Sequence, residues 1–549
     1  MTKRNYHKKE RKEKPKSPQI QRQAWILLAI VIFAIALIRI RLLPVPLERD
    51  EGEYAYAGQL ILKGIPPYLH VYNMKFPGIY AAYALIMALF GQTIVSIHLG
   101  LLIVNIITII LIFLIGQRFF NPISSVIGAT TYAIFSLGQP VLGMFAHATH
   151  FVVLFALCGY LLLTKAFESK RILLLFLSGF SFGIAILMKQ HGFLFGAFAL
   201  LYLVLVQRKN NIFTLKRFAA GTFLFTLGLV IPLGITCLIL VKVGAFNKFW
   251  FWTFTYIRQY ASQVSPALGW ELFSERAVKI FLASPLLWLL AASGFIIILA
   301  DKEMRPKALF IIGLWIFSFL AICPGLYFRD HYFIMILPAN AMLVSVAFSY
   351  LSKITAGTKL AAIPLIIIIA AVGHSVFAQR EVFFSLSPNM VSREIYGGNP
   401  FPESLKIAEY IRKHTSPNDT IAVLGSEPQI YFYSKRRSAT GYIYMYPLME
   451  IHPYALQMQM EMIREIEAAK PKILVCVSVS ASWLPLENSV MKVFDWSSRY
   501  ARKYYDLVGN IEIIAEDYTR YSWGEEAAKH KPNVPAFIYV FKRKPTISK

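Results

Sequence analysis

Charge and cysteine are both scarce. Only 16% of the 549 residues are charged and four are cysteine. A soluble globular chain carries roughly 25% charged residues. A shortfall of this size, with 56% of residues hydrophobic, excludes a single soluble domain and a disordered chain. Cys158, Cys237, Cys323 and Cys476 show no CxxC or Cys/His spacing and read as small buried hydrophobes, which excludes a disulfide scaffold and a cysteine-based zinc site. No internal repeat is evident. No glycine-rich phosphate loop follows either early strand-like run of the C-terminal part, so no nucleotide site is expected there.

Acidic residues are rarest where the chain is most apolar. Up to Ala378 there are 34 basic and 12 acidic residues, and from Gln379 onward 22 and 18, within a net charge of +26. Nine of the basic residues fall in the first 22 positions. No fold surrounds them, so they read as a tail held in the cytoplasm by the positive-inside bias, in preference to a nucleic-acid or acidic-lipid site. No small-residue cleavage site follows the apolar stretch around Ile30, so a removable signal is not expected.

Apolar runs of about 20 residues, fewer where neighbours compensate, predict spanning helices. About eleven are expected, near 24–43, 93–115, 124–138, 149–165, 172–188, 192–206, 218–242, 281–300, 308–324, 332–350 and 360–378. Residues 79–90 are too few to cross and read as an interfacial helix. With that segment excluded, Lys and Arg concentrate in the loops on the side of the N-terminal tail, including RKNNIFTLKR at 208–217. The tail is then inside and the C-terminal part outside. The expected organisation is a basic cytoplasmic tail over 1–23, a transmembrane part over 24–378 with a first outer loop at 44–92, and an extracytoplasmic α/β domain over 379–549. In that domain a helix at 402–414, a strand at 420–424, a helix at 457–469 and a strand at 473–479 alternate, which predicts a mainly parallel sheet. Residues 511–515 and 536–541 are further candidate strands.

Against this background four acids stand out: Glu48, Asp50, Glu51 and Glu53, directly after the first span in LERDEGEYAYAGQLILKGIPPY. A solvated loop is the plain reading. However, Asp50 and Glu51 open a helix-like run, where the dipole favours carboxylates. The run from Tyr54 to Leu62 reads as an amphipathic interfacial helix. Lys75-Phe76-Pro77-Gly78 then opens the short apolar segment. A carboxylate here can take a proton from an acceptor hydroxyl or amine, and an interfacial lysine or arginine can stabilise a lipid phosphate as leaving group. Adjacent residues at a helix start cannot point the same way, so of the catalytic candidates Asp50 and Glu51 one is the base and the other orients or binds the acceptor.

Other candidates lie at the same face. Arg329-Asp330-His331-Tyr332 ends the tenth span, where Arg329 can pair with a phosphate or with Asp50, or else the cluster caps and anchors the helix. Lys189-Gln190-His191 occupies a tight outer turn, a functional position unless the lysine simply snorkels to the headgroups. The aromatic stretch FNKFWFWTFTYIRQY, with Arg258, reads as an interfacial helix, or as a cover over a lipid donor. His147 and His150 share a spacing that suits one helix face, but no nearby acid completes a metal site, so none is expected, with a Mg²⁺ or Mn²⁺ requirement left open. Tyr431, Tyr433, Tyr442 and Tyr444, beside Lys435, Arg436 and Arg437, read as loop surface, with stacking on a sugar as the alternative.

The order of these features resembles the GT-C membrane glycosyltransferases, above all the family 39-like branch that includes protein O-mannosyltransferases and the lipid A aminoarabinose transferase. The resemblance rests on Asp50-Glu51, Tyr54-Ala55, Lys63-Gly64 and Lys75-Phe76-Pro77-Gly78 in sequence, with Arg329-Asp330-His331-Tyr332 similar to an Arg-x-His-Tyr element of bacterial members. The second proline of the Lys-Pro-Pro form is absent. The resemblance implies a GT-C type polytopic α-helical membrane protein with a C-terminal soluble α/β domain, with Asp50 as general base and Lys75 on the donor phosphate. Arg329, Lys189 and Arg258 join Lys75 as donor-phosphate candidates, and Tyr54, Tyr68, His191, His331 and Tyr332 are the substrate-binding candidates. The expected activity is inverting transfer of a sugar from a polyprenyl-phosphate donor to a lipid, glycan or protein acceptor on the extracytoplasmic side, among membrane lipids and without nucleic acid. The alternative is a transporter or flippase for a lipid-linked substrate, disfavoured because the ionisable residues sit at span ends and not at the midplane.

Overall fold

The computed structural model describes residues 18–545, so the basic run from Lys3 to Lys16 lies outside the described residues. The apolar part is built from α1 (Pro18–Leu42), α2 (Arg49–Leu62), α3 (Gly78–Phe90), α4 (Ile94–Gly116), α5 (Pro122–Phe135), α6 (Ala148–Ser169), α7 (Leu173–Met188), α8 (Gly192–Asn210), α9 (Leu215–Lys242), α10 (Phe246–Trp250), α11 (Ile257–Ala261), α12 (Pro266–Ala283), α13 (Pro285–Ala300), α14 (Arg305–Ile322), α15 (Leu337–Thr355) and α16 (Ile363–Ala378). Among the described residues, seven helical runs are long and apolar enough to cross a membrane unaided: α1, α4, α6, α8, α9, α14 and Asp330–Thr355, which ends in α15. Three other expected spans are the shorter apolar helices α5, α7 and α16. The chain is a multi-pass membrane protein.

The span expected at 281–300 takes a different form. Helices α12 and α13 meet at 107°. Pro285 opens α13, and a proline without an N–H cannot continue the ladder of α12. Helix α12 carries Glu271, Glu275, Arg276 and Lys279, which hid it from a hydropathy reading.

Helix α2 also departs from expectation. It is buried from Glu51 to Leu60 and does not lie free at an interface. It runs between α3 and α19 (Gln429–Ser434) of the C-terminal part. Gly52 permits that approach, because a Cβ there would stand 2.6 Å from the Gln429 amide nitrogen. The aromatic stretch at 246–261 packs one face against the C-terminal part. Trp252 and Tyr256 are buried against Tyr442, Met445 and Leu448.

The C-terminal part adds α17 (Pro388–Tyr396), α18 (Phe401–His414), α20 (Tyr446–Met449) and α21 (Ala455–Ala469) around one sheet of β1 (Thr420–Leu424), β2 (Arg437–Ser438), β3 (Ile473–Ser478), β4 (Tyr505–Ile513), β5 (Thr519–Trp523) and β6 (Phe537–Arg543). The strand order is β2-β1-β3-β6-β4-β5. Among the described residues, only β1 with β2 and β1 with β3 are parallel and the other three pairings are antiparallel, so the sheet is mixed and not mainly parallel. The β4–β5 hairpin and the insertion of β6 between β3 and β4 cause the difference. No strand–helix alternation encodes them, and β5 reads Thr-Arg-Tyr-Ser-Trp without an apolar run.

Candidate active site

The first turn of α2 sorts its charges by helical geometry. Successive residues on a helix point roughly 100° apart, so Arg49, Asp50 and Glu51 face three different neighbours. Arg49 turns to the C-terminal part. Its Nε donates to Ser426 O (2.6 Å), Nη1 to the Tyr446 hydroxyl (2.7 Å) and Nη2 to Asn399 Oδ1 (3.0 Å), and it pairs with Glu427 at 3.2 Å. Glu51 turns into the helical bundle, where Oε1 accepts from the Ala146 amide at 2.6 Å and lies 3.0 Å from His98 Nε2. Glu48 and Glu51 also form a reciprocal capping box that closes the helix start. Asp50 is left to face a cavity of about 320 Å³.

Lys75 meets Asp50 across that cavity. Its ammonium donates to Asp50 Oδ1 at 2.7 Å and to Glu53 Oε2 at 2.8 Å, and it sits 4.6 Å from the centre of the Tyr54 ring. The Lys-Phe-Pro-Gly element has a packing reason. A Cβ on Gly78 would stand 2.5 Å from Leu187 O, so this glycine lets the start of α3 touch the last turn of α7. The segment bearing Lys75 is thereby set beside Lys189, and Gln190 Nε2 fastens it by donating to Met74 O at 2.7 Å. Glu53 is enclosed by Lys75, Asn73 Nδ2 (2.7 Å) and the Tyr80 hydroxyl (2.5 Å).

The rest of the wall comes from distant segments. The Lys189 ammonium lies 4.2 Å from the Tyr332 ring centre. His191 Nδ1 is 2.7 Å from Ala321 O. His147 and His331 stack at 4.2 Å between ring centres, 11° from parallel. The Arg329 guanidinium lies 5.0 Å from the centre of Tyr327, which stacks on Tyr260 at 4.4 Å. From the C-terminal part come Tyr444, Tyr446 and Glu450. The Tyr444 hydroxyl donates to Asp50 Oδ1 at 3.2 Å.

Electrostatics follow from burial and these neighbours. Burial works to raise the Asp50 pKa, but Lys75, with His147 and Lys189 adding to it, holds the carboxyl below the usual carboxylate range. Glu53 moves the other way, raised first by burial and then by Asp50. Lys75 keeps its charge: burial disfavours it, and Asp50 and Glu53 more than compensate. Lys189 has no such partner in contact, and burial lowers its pKa to about 7. Burial likewise takes His147 down to about 4, so its imidazole is neutral at pH 7.

Of the candidate residues, Asp50, Lys75, Lys189, Arg329, Tyr54, His191, His331 and Tyr332 line one cavity. Glu51, Arg258 and Tyr68 do not. Glu51 is consumed in the bundle. Arg258 is exposed on α11, whose residues Ile257 and Tyr260 line the cavity instead. Tyr68 acts from behind, its hydroxyl donating to Lys75 O at 2.6 Å. The expectation that no acid stands near His147 is corrected. Asp50, His147 and His331 offer ligand atoms that all lie within 4.8 Å of one another, and His150 takes no part. Both ring nitrogens of His147 lack a hydrogen-bond partner among the described residues, and two imidazoles with one carboxylate suit zinc better than magnesium. The tyrosine patch is corrected too: Tyr431, Tyr433 and Tyr442 are buried, and Tyr444 enters the cavity. Sequence reasoning missed Tyr446, Tyr260 and Glu450. The run Tyr442-Ile443-Tyr444-Met445-Tyr446 offered a hint, but alternation alone cannot tell a cavity from a core.

The profile of a family described as dolichyl-phosphate-mannose-protein mannosyltransferase matches residues 75–235, the stretch from Lys75 past His147 and Lys189 to α9. Several solved structures share the fold, two of which follow. One is ArnT from Cupriavidus metallidurans bound to undecaprenyl phosphate, with 14% identity, a TM-score of 0.57, and coverage of 82% of this chain and 93% of that one. The other is the archaeal oligosaccharyltransferase AglB from Archaeoglobus fulgidus in complex with an inhibitory peptide and a dolichol-phosphate, with 12% identity, a TM-score of 0.54, and coverage of 92% and 75%. No curated protein matches the chain. The GT-C fold expected from the sequence is borne out: a polytopic helical bundle carrying a smaller C-terminal α/β part.

Proposed function

We propose that this chain is a membrane glycosyltransferase that moves a sugar from a polyprenyl-phosphate donor to an acceptor hydroxyl or amine, with inversion, on the extracytoplasmic side of the cell membrane, its N-terminal tail being cytoplasmic. The observation that carries this reading is the pairing of the cavity-lining Asp50 carboxylate with Lys75 at 2.7 Å, inside a wall that also holds Lys189 and Arg329. Proton removal needs a base, and phosphate departure needs positive charge. Asp50 takes the acceptor proton as the acceptor atom bonds to the anomeric carbon. The bond from that carbon to the phosphate oxygen breaks, and the polyprenyl monophosphate leaves toward Lys75, Lys189 and Arg329. One displacement inverts the anomeric centre. A phosphate arriving at Lys75 competes with Asp50 for the ammonium, so Asp50 becomes more basic as the donor binds.

An apolar groove suits the donor's tail. A space of about 560 Å³ is lined by Phe273, Trp288, Phe295, Trp315 and Phe333, between the bent pair α12–α13 and α14, and it starts one residue beyond Tyr332. Similar folds whose structures hold undecaprenyl phosphate or a dolichol-phosphate support a lipid-linked donor. The reaction as drawn takes its positive charge from these three cations. Asp50, His147 and His331 are the residues that would hold a divalent ion, which would supply Lewis-acid charge. Turnover that persists in EDTA separates the two versions.

The reading is tested with purified protein in lipid nanodiscs and a panel of undecaprenyl-phosphate hexoses and pentoses, monitored by mass spectrometry. Release of undecaprenyl phosphate with a glycosylated product, or free sugar when water is the acceptor, is expected for at least one donor. In sealed proteoliposomes, flipping of intact donor across the bilayer with no cleavage would favour the transporter reading instead. A pH dependence is also expected. The Lys189 charge is present below about pH 7 and is lost above it. Donor KM should therefore rise as pH passes from 6 to 8. Lys189→Arg, which stays charged, should flatten that rise.

A further inference from the structure

We propose that Tyr444 is a positioning residue for Asp50, so that the C-terminal part completes the reacting site. The inference rests on Asp50 being the base. The two oxygens of this carboxylate are treated unequally. Oδ1 receives both the Lys75 ammonium at 2.7 Å and the Tyr444 hydroxyl at 3.2 Å. Oδ2 receives neither, and His147 Nδ1 stands 4.0 Å from it. Two donors on one oxygen set the carboxylate plane and leave the lone pairs of Oδ2 for the acceptor proton. Lys75 alone cannot hold that orientation through a turnover, because the same ammonium meets the donor phosphate. Tyr444 remains on Oδ1 while Lys75 is shared.

The hydroxyl is delivered by a fastened loop. The Met445 amide donates to Ser426 Oγ at 2.9 Å, on the residue whose carbonyl accepts from Arg49. Tyr444 packs edge-on against Tyr446 at 4.9 Å, and the Tyr446 hydroxyl accepts from Arg49 and donates to Ala481 O at 2.6 Å. Arg49 directly precedes Asp50, so the base and the loop that steadies it are registered through one helical turn. The neutral hydroxyl suits the task, since burial and the Asp50 charge keep Tyr444 from ionising. Besides Tyr444, the groups facing Asp50 that bear on its titration are Lys75, Lys189, His147, Glu48 and Glu53.

The test compares wild type, Tyr444→Phe, Tyr446→Phe and Asp50→Asn as full-length protein in nanodiscs. The probe is undecaprenyl-phosphate mannose, or the panel member that wild type turns over, and the readouts are kcat and KM against pH and the melting temperature. Tyr444→Phe keeps the ring, so its melting temperature and donor KM should stay near wild type. Its kcat should fall about tenfold, the scale of one hydrogen bond to a charged group. The acid limb of its pH profile should move to higher pH, because the carboxylate has lost a donor to its charged form. Tyr446→Phe removes a hydroxyl that touches Arg49 and Ala481; it should lower the melting temperature and leave the acid limb in place. An inactive Asp50→Asn with an unchanged kcat and limb in Tyr444→Phe overturns the proposal and spares the base assignment. An equal limb shift in both tyrosine variants overturns it as well. Full turnover by Asp50→Asn removes the base assignment, and this inference falls with it.

Discussion

Asp50→Asn is expected to lower transfer about 1,000-fold, within the range that a positioned general base contributes. Asparagine keeps the shape of the side chain and an oxygen that can accept from Lys75 and Tyr444, but it has no anion to take a proton. The ammonium of Lys75 keeps a second carboxylate, Glu53 at 2.8 Å, so the change does not leave a buried lysine unpaired. Donor binding and the melting temperature should therefore stay close to wild type while kcat collapses. The deciding measurement is kcat and KM for undecaprenyl-phosphate release, with donor affinity measured separately. A loss confined to KM would mean that Asp50 holds the donor and is not the base.

Arg49→Met should have the largest effect on stability. Arg49 and Glu427 are both buried, and removing one partner of a buried pair leaves the other charge uncompensated, at about 3–5 kcal/mol. The guanidinium also satisfies Ser426 O, Tyr446 and Asn399, so four acceptors lose their donor together. The expected result is a markedly lower melting temperature and early proteolytic release of the C-terminal part. Arg49→Lys should rescue little, because one ammonium cannot reproduce a planar fork that serves several acceptors. Arg49→Met melting with wild type would show that the Gly52–Gln429 contact and the buried aromatics carry the interface alone.

Much of this was legible in the sequence because membrane physics writes plainly. Apolar runs reported the helices of the bundle, and the scarcity of acids made Glu48–Glu53 conspicuous. The roles within that cluster were harder to read. Asp50 and Glu51 look alike in sequence, and only the third-position capping contact with Glu48 and the reach of Ala146 and His98 send Glu51 inward. Arg49 went unremarked as an ordinary basic residue in a loop, although it is the most heavily bonded side chain of the turn. Its partners lie more than 340 positions away, and no periodicity reports a contact across that distance. Arg258 failed for a related reason. Exposed Arg258 and cavity-lining Ile257 are neighbours on a short aromatic helix, about 100° apart around its axis, which composition does not resolve. The α12–α13 bend escaped because charged residues on α12 lowered the hydropathy of a helix that still runs on to Ala283.

The adjacency of Arg49 and Asp50 bears on how such a protein can change over generations. Outer domains of membrane enzymes look exchangeable, since the bundle provides the lipid contacts and the domain sits on top. Here the two are not separable modules. A chimera that grafts a foreign C-terminal domain onto this bundle would inherit a buried arginine without Glu427, Ser426 and Asn399, and the Asp50 carboxylate without the hydroxyl of Tyr444. Drift in this domain should be freest at its exposed positions and most tightly constrained in the short segments 425–427 and 442–447. Diversification toward new acceptors would then proceed by altering neighbours of those segments, with the segments themselves retained.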